Sequence, residues 1–250
     1  MSQKLILPLN NCQVLCGYKN EAYRKAWGFA HYGMDLYDPS LVHWAMGDGE
    51  VIAAGNDSIF GNCVVVLYKD VYIHATGQTK DLIARCYHMA DVPLVKKGDK
   101  VTTKTRLGTI GTTGKYSSGV HLHVEFDTDT KHPMFVPGLN GSTSMFNRGI
   151  DTTIDPAGVL YVKASASDNQ SVSPNESYLK RGFLSEQDYS LPTLETPPQP
   201  DFEAKYNELL TLYEKTKADY QACYEDLAAE KQKRKELLSE ILALVEKYKN

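Results

Sequence analysis

The 250-residue sequence predicts an all-β domain, an antiparallel β-sheet or sandwich-like arrangement, followed by a linker and a C-terminal α-helical coiled coil. Three observations predict it. Short β-branched and aromatic runs separated by Gly, Asn, Asp and Pro fill residues 26–162. Ser, Asn, Gln, Glu and Pro then dominate residues 163–200. Residues 201–250 switch to an apolar repeat at coiled-coil spacing.

Residues 1–25 read as an N-terminal lead-in. Their apolar stretch is broken by Pro8 and Asn10 before it could form the core of a signal peptide. No run of about eighteen apolar residues occurs anywhere in the chain, so no transmembrane segment is expected. The expectation is a protein synthesised in the cytoplasm without a signal peptide. Within 26–162, strands are expected around residues 50–54, 62–68, 82–88 and 121–126. Lys97-Gly98-Asp99-Lys100 and the glycines at 108, 111 and 114 supply turns.

The linker ends in Thr196-Pro197-Pro198-Gln199-Pro200, which cannot sustain a helix and favours an extended spacer. Its stretch 178–189 has enough apolar residues to dock on another surface. Beyond it, Tyr206, Tyr213, Tyr220, Leu227, Arg234, Ile241 and Tyr248 recur every seven residues. Phe202, Leu209, Thr216, Cys223, Glu230, Leu237 and Leu244 form the alternating second seam. A helix about 70 Å long results, with a homo-oligomer through residues 201–248 as one outcome and an amphipathic helix folded back on the β domain as the other. Thr216, Glu230 and Arg234 interrupt the seam, and polar seam residues weaken association while fixing its register.

A net charge of −4 with no basic stripe disfavours nucleic acid as a partner. Five cysteines without a CxxC pair cannot close a disulfide framework, so inert thiols are expected.

Three short motifs stand out. They are His31-Tyr32-Gly33-Met34-Asp35, Cys86-Tyr87-His88-Met89, and Gly119-Val120-His121-Leu122-His123-Val124-Glu125. In a strand, side chains alternate faces, so His121 and His123 project to one side and Leu122 and Val124 to the other. Two such imidazoles can both bind metal, or one can bind while the other moves protons. His31 and Asp35 add a nitrogen and an oxygen of the kind zinc accepts, and Gly33 is expected to let the chain bend between them. Three protein ligands and one open position suit catalysis, whereas a structural site is closed by four.

In order and spacing these motifs resemble the lysostaphin-type (LytM-like) zinc endopeptidases. Further similarities follow in sequence: Gly47-Asp48-Gly49-Glu50, Gly61-Asn62-Cys63, Val95-x-x-Gly98-x-x-Val101, Leu107-Gly108-Thr109-Ile110-Gly111 and Ile154-Asp155-Pro156. The resemblance spans about residues 26–160 and implies a peptidase domain with a substrate groove. It also implies that His31, Asp35 and His123 bind zinc while His88 and His121 stand beside the metal-activated water. The expected reaction is hydrolysis of peptide bonds in bacterial peptidoglycan, in a cross-bridge or a stem peptide, without a covalent enzyme intermediate. His121 is the preferred general base, and His88 contacts the oxyanion or passes the proton to the leaving amine, although the two roles are interchangeable at this stage. No HExxH helix is present, and Glu125 is expected to orient a ligand or pair behind the metal.

The stretch around Tyr72, His74, Gly77 and Lys80, and residues 127–150, look long for the family and are expected to wall the groove. His43, His74 and His132 are expected on the surface or hydrogen-bonded, and Trp27 and Tyr116 are expected either to line the groove or to serve in aromatic packing. Action at the bacterial cell wall, as a phage or prophage lysin or a tail-associated component, is the expected setting. The competing expectation is a non-catalytic wall-binding or phage scaffold protein that uses the peptidase fold as a platform and the coiled coil for assembly.

Overall fold

The computed structural model describes residues 2–134, 151–164, 169–176, 184–194 and 202–247. The chain forms two compact units, Met1–Glu195 and Thr196–Asn250. The first is mostly β-sheet and the second is a helix. Within the first lie β1 (Leu5–Ile6), β2 (Asn11–Cys16), α1 (Glu21–Trp27), β3 (Met34–Tyr37), β4 (Val42–Trp44), β5 (Gly49–Asp57), β6 (Gly61–Ile73) and β7 (Gln78–Met89). These are followed by β8 (Lys100–Val101), β9 (Arg106–Thr109), β10 (Leu122–Asp127), β11 (Thr153–Ile154), β12 (Leu160–Lys163), β13 (Ser171–Pro174) and β14 (Thr193–Leu194). The expected strands at 50–54, 62–68 and 82–88 fall inside β5, β6 and β7, and β10 begins one residue after the expected 121–126.

The main sheet runs β13-β2-β3-β10-β7-β6-β5-β8, with β11 paired to β10. Its centre is antiparallel, as short turn-linked runs require. Parallel pairings join β13 to β2, β12 to β1 and β14 to β12. These partners are far apart in sequence, so no hairpin dictates their direction and nothing in a local pattern announces them. Residues 2–25 thereby supply β1, β2 and α1, and Leu5, Leu7, Leu9, Cys12 and Val14 belong to the core. Of the apolar stretch 178–189, Leu184 is buried and Tyr189 packs against the same core, while residues 178–183 lie outside the described residues.

Alternation along the central strands separates two faces. Val64, Val66 and Tyr68 of β6, Leu82, Ala84 and Cys86 of β7, and Leu122, Val124 and Phe126 of β10 enter one large apolar core. Arg85 and Tyr87 of β7, and His123, Glu125 and Asp127 of β10, occupy the alternate positions and face the other way. On that second face a small cluster of Phe60, Cys63 and Tyr87 packs with Phe29, Tyr32, Ile59 and Tyr116.

Helix α1 is only seven residues long, too short to show a periodicity in sequence. Asn20 starts it by accepting from the Tyr23 amide, and Gly28, at φ 80°, ends it with its N–H on the Arg24 carbonyl. The second unit is helix α2 (Phe202–Lys247), whose described side chains from 206 onward are all exposed. Pairs such as Gln221 with Glu225 and Arg234 with Glu230 support it one turn apart. No described helix is long and apolar enough to cross a membrane.

His132 is exposed and pairs with Asp129 at 2.7 Å. His43 departs from its expected surface or hydrogen-bonded setting: it is fully buried in β4, and neither ring nitrogen has a hydrogen-bond partner. Burial pushes its pKa down to about 3. The folded chain thus keeps His43 neutral while the unfolded chain protonates it below about 6.5. The unfolded state binds more protons there, so this residue's contribution to stability falls as the pH drops from about 6.5 toward 3, by at most about 1.4 kcal/mol per pH unit. Denaturant titrations at pH 7.5 and 5.0 should show a smaller loss of stability on acidification for H43L than for the parent chain. Equal losses would mean that His43 does not contribute to the acid sensitivity.

Candidate metal centre

The polar face of the sheet brings the histidine motifs together through cross-strand register. Cys16 of β2 pairs with Asp35 of β3, Asp35 with His123 of β10, and His123 with Tyr87 of β7. These four residues form one row across four strands, side chains on the same face. His31, just before β3, completes the cluster.

Three ligand atoms meet in it. His31 Nε2 lies 3.0 Å from Asp35 Oδ1 and 3.1 Å from His123 Nδ1, and His123 Nδ1 lies 2.9 Å from Asp35 Oδ1. The tautomers follow from the acceptors behind each ring. His31 Nδ1–H donates to the Gly17 carbonyl at 2.7 Å, leaving the Nε2 lone pair turned inward. His123 Nε2 faces Glu125 Oε1 as an ion-pair contact at 3.4 Å, and a proton held on Nε2 by that carboxylate leaves Nδ1 to face the cluster. Two imidazole nitrogens and a carboxylate oxygen thus converge on one point, an arrangement that holds a cation, either a metal ion or, without one, the proton that Asp35 and Glu125 favour on His123. A tetrahedral zinc holds N and O ligands about 3.3 Å apart, so the donor set and its spacing fit zinc.

The two remaining histidines are fixed in the same manner. His88 Nδ1–H donates to the Thr113 carbonyl at 2.8 Å and His121 Nδ1–H to the Gly119 carbonyl at 2.7 Å. Each is left with a free Nε2, and that of His121 lies 3.5 Å from Asp35 Oδ1. The His88 and His121 rings are 4.9 Å apart. His88 has φ 65°, a left-handed conformation unusual for a histidine, which turns its ring toward the cluster from the end of β7.

The charges respond to one another. Burial alone would raise the Asp35 carboxyl, but His31, His121 and His123 outweigh it and hold it well below the usual carboxylate range. Burial works to lower His123, yet Asp35 and Glu125 on either side of its ring raise it to about 9. Burial, reinforced by His121 and His123, lowers His88 to about 4. Burial raises Glu125, and Arg85 with His123 reverses that and brings it down to about 2.

Gly33 is needed for a reason other than bending. A Cβ there would lie 2.3 Å from the Val124 carbonyl oxygen and 2.6 Å from His123 Nε2. Strand β3 can approach β10 this closely only without a side chain at 33.

All five expected site residues come together. Tyr23 packs against His31 with ring centroids 4.4 Å apart and planes tilted by 35°, and Tyr23, Trp27 and Tyr116 line the cavity that opens on Asp35, His88, His121 and His123. Trp27 and Tyr116 are therefore where they were expected. Residues 72–80 line neither cavity beside the histidines; their hairpin is tied down elsewhere, by Gln3 bridging to Val71 and by the Ala75 amide on the Gly158 carbonyl. Of the second expected wall, residues 135–150 lie outside the described residues. Sequence reasoning missed Cys16, whose thiol lies within 4.8 Å of ligand atoms of His31 and Asp35 and is kept protonated chiefly by burial and then by Asp35. It also missed Tyr23 and Arg85. Arg85 had a signal, a lone charge in the apolar run Leu82-Ile83-Ala84-Arg85-Cys86.

Comparison with known proteins converges on the same segment. The model of Peptidase family M23 matches residues 30–134. Two curated relatives from Vibrio cholerae serotype O1 align with it. Peptidoglycan DD-endopeptidase ShyC is 36% identical over 39% of this chain, and peptidoglycan DD-endopeptidase ShyA 34% identical over 38%. The chain spans about a fifth of the length of each, 20%. Among solved structures, the catalytic domain of the antimicrobial peptidase lysostaphin from Staphylococcus simulans is 26% identical, with a TM-score of 0.33, over 42% of this chain and 71% of that one. The matched segment contains His31, Asp35, His88, His121 and His123, and over residues 30–134 this chain is similar to peptidase family M23.

Proposed function

We propose that the chain is a zinc-dependent endopeptidase that hydrolyses peptide bonds of bacterial peptidoglycan at the cell wall. One observation carries this reading: His31 Nε2, Asp35 Oδ1 and His123 Nδ1 converge within 2.9–3.1 Å of one another inside the segment that matches family M23. The two curated relatives, named as peptidoglycan DD-endopeptidases, support the substrate class.

His31, Asp35 and His123 would hold the metal. Zinc bound there polarises a scissile carbonyl and brings the pKa of water in the site toward neutrality. His121, with its Nδ1–H anchored on Gly119 and its Nε2 free beside Asp35, takes the proton of the attacking water. His88 is held largely neutral, so a proton it acquires is readily given up again, which suits transfer to the leaving amine. Tyr23, Trp27 and Tyr116 flank the peptide with aromatic surface. Helix α2 self-associates through its heptad seam, where Tyr213, Tyr220, Leu227, Leu237, Ile241 and Leu244 present exposed apolar side chains.

Purified peptidoglycan incubated with the protein should release new amino termini, detected by mass spectrometry, and a chelator should abolish the release. H123A should lose both bound zinc and activity. H121A should keep zinc and lose about 10²–10⁴ in turnover. Absence of new termini from every wall type despite bound zinc would favour the non-catalytic scaffold, and loss of zinc from H121A would overturn the division of the HxH pair.

G33A should remain folded, since β3 can shift slightly, but should bind zinc at least tenfold more weakly because the new methyl displaces the His123 ring. Chelator competition reads this directly, and unchanged affinity would show that the ring tolerates the methyl.

Sedimentation of the chain truncated after Pro200 should give a smaller oligomer than the full chain. In a parallel in-register pair the two exposed Cys223 thiols face each other across the seam, so mild oxidation should cross-link the full chain through that residue. Equal sedimentation and no cross-link would argue against the coiled coil.

A further inference from the structure

We propose that Arg85 is a positioning residue for the metal centre: it holds Glu125 in the one orientation that keeps the His123 Nδ1 lone pair on the ligand cluster. The inference rests on the zinc reading above and concerns a residue that reaches the metal only through two others.

Arg85 is completely buried, in the middle of β7, and it pairs directly with Glu125 across the β7–β10 ladder. Its Nε donates to Glu125 Oε2 at 2.7 Å. The rest of the guanidinium is fixed by Nη2 donating to Asp127 Oδ2 at 2.7 Å and Nη1 donating to the Pro133 carbonyl at 3.2 Å. The cation therefore cannot turn away from Glu125 without breaking two further bonds. Asp127 is itself held, accepting on Oδ1 from the Thr152 hydroxyl at 2.7 Å and the Asp129 amide at 2.8 Å.

The two oxygens of Glu125 divide their work. Oε2 takes Arg85, with the Tyr87 hydroxyl at 3.5 Å, and Oε1 is left facing His123 Nε2 at 3.4 Å. Tyr87 meanwhile stacks on the His123 ring at 5.7 Å and 13° between planes. The stack fixes the plane of the imidazole but permits a flip about its own axis that would exchange the inner and outer edges of the ring. The charge contact with Glu125 at 3.4 Å selects between the two orientations, and Arg85 decides where Glu125 points. A buried arginine with two carboxylates is costly to desolvate, and apolar residues of similar volume would fill the space without that penalty. Its position directly behind a ligand's outer nitrogen gives the cost a function.

The test uses the full chain with zinc and four variants: R85M, R85K, E125Q and the double variant R85M/E125Q. Zinc affinity is read by chelator competition and folding by circular dichroism. R85M and E125Q should each weaken zinc binding about 10- to 100-fold with all three ligands intact. R85K, which keeps the charge but cannot make the fork, should fall between R85M and the parent. The double variant should bind no more weakly than E125Q, because both substitutions break one chain of contacts.

A purely structural arginine gives losses that add, and additive losses overturn the proposal, as does R85M binding zinc like the parent. Should R85M fail to fold, R85K decides: folded protein with weakened zinc supports the proposal and folded protein with unchanged zinc overturns it. A parent chain that takes up no zinc fails the metal reading instead. The crystal structure of R85K then reads positioning without metal, with the His123 ring expected to be turned from Asp35 and an unmoved ring counting against Arg85.

Discussion

The register of four strands on one face of the sheet is the constraint on which the site depends. Cys16, Asp35, His123 and Tyr87 stand side by side because β2, β3, β10 and β7 pair in one alignment. A slip of one residue in β10 would turn His123 and Glu125 into the core and Val124 toward solvent. That slip is prohibited by Leu122, Val124 and Phe126, each fully buried on the opposite face. The apolar core thus sets the position of the candidate metal ligands to within one peptide unit, and Gly33 lets β3 approach β10 closely enough to use that position.

Behind the ligands the protein concentrates charge where water is excluded. Asp35 and Glu125 lie beside Arg85 and the histidines, and the mutual proximity of opposite signs keeps these two carboxylates ionised despite burial. The arrangement is directional as well as neutralising. Each of the four site histidines has an acceptor for one ring nitrogen, namely the carbonyls of Gly17, Thr113 and Gly119 and the carboxylate of Glu125. The opposite nitrogens are then free for chemistry without competing tautomers.

Much of this was legible in the sequence, because period-two alternation alone places His121 and His123 on a common face, and the order of the three motifs carries the resemblance that the family M23 match over residues 30–134 bears out. What was not legible has two physical origins. Backbone carbonyls carry no residue signature, so Gly17, Thr113 and Gly119 as acceptors could not be read from any pattern. Partners far apart in sequence leave no periodic trace either, which hid the parallel pairing of β13 with β2 and the entry of residues 2–25 into the core. Gly33 was recognised as necessary but for conformational freedom, whereas the constraint is the space between two strands. Arg85 was visible as an anomaly in an apolar run, and its meaning required knowing that β7 lies beside β10.

The same division separates what is rigid from what is adjustable around the site. Asp35, His88, His121 and His123 sit on or at the ends of paired strands, so their geometry is tied to the main core. The aromatic wall is built differently. Helix α1 buries no residue and is held by an Asn20 cap, a Gly28 terminus and the tilted ring contact of Tyr23 with His31. Trp27, over a third exposed at 39%, contacts Tyr116 edge-on at 6.3 Å. An element with few buried contacts opens at lower free energy than the sheet beneath it and tolerates substitution with less penalty. Under the endopeptidase reading, changes in α1 and around Tyr116 can alter which peptide is accepted while the register that aligns Asp35 with His123 stays intact, so selectivity can vary without disturbing the chemistry.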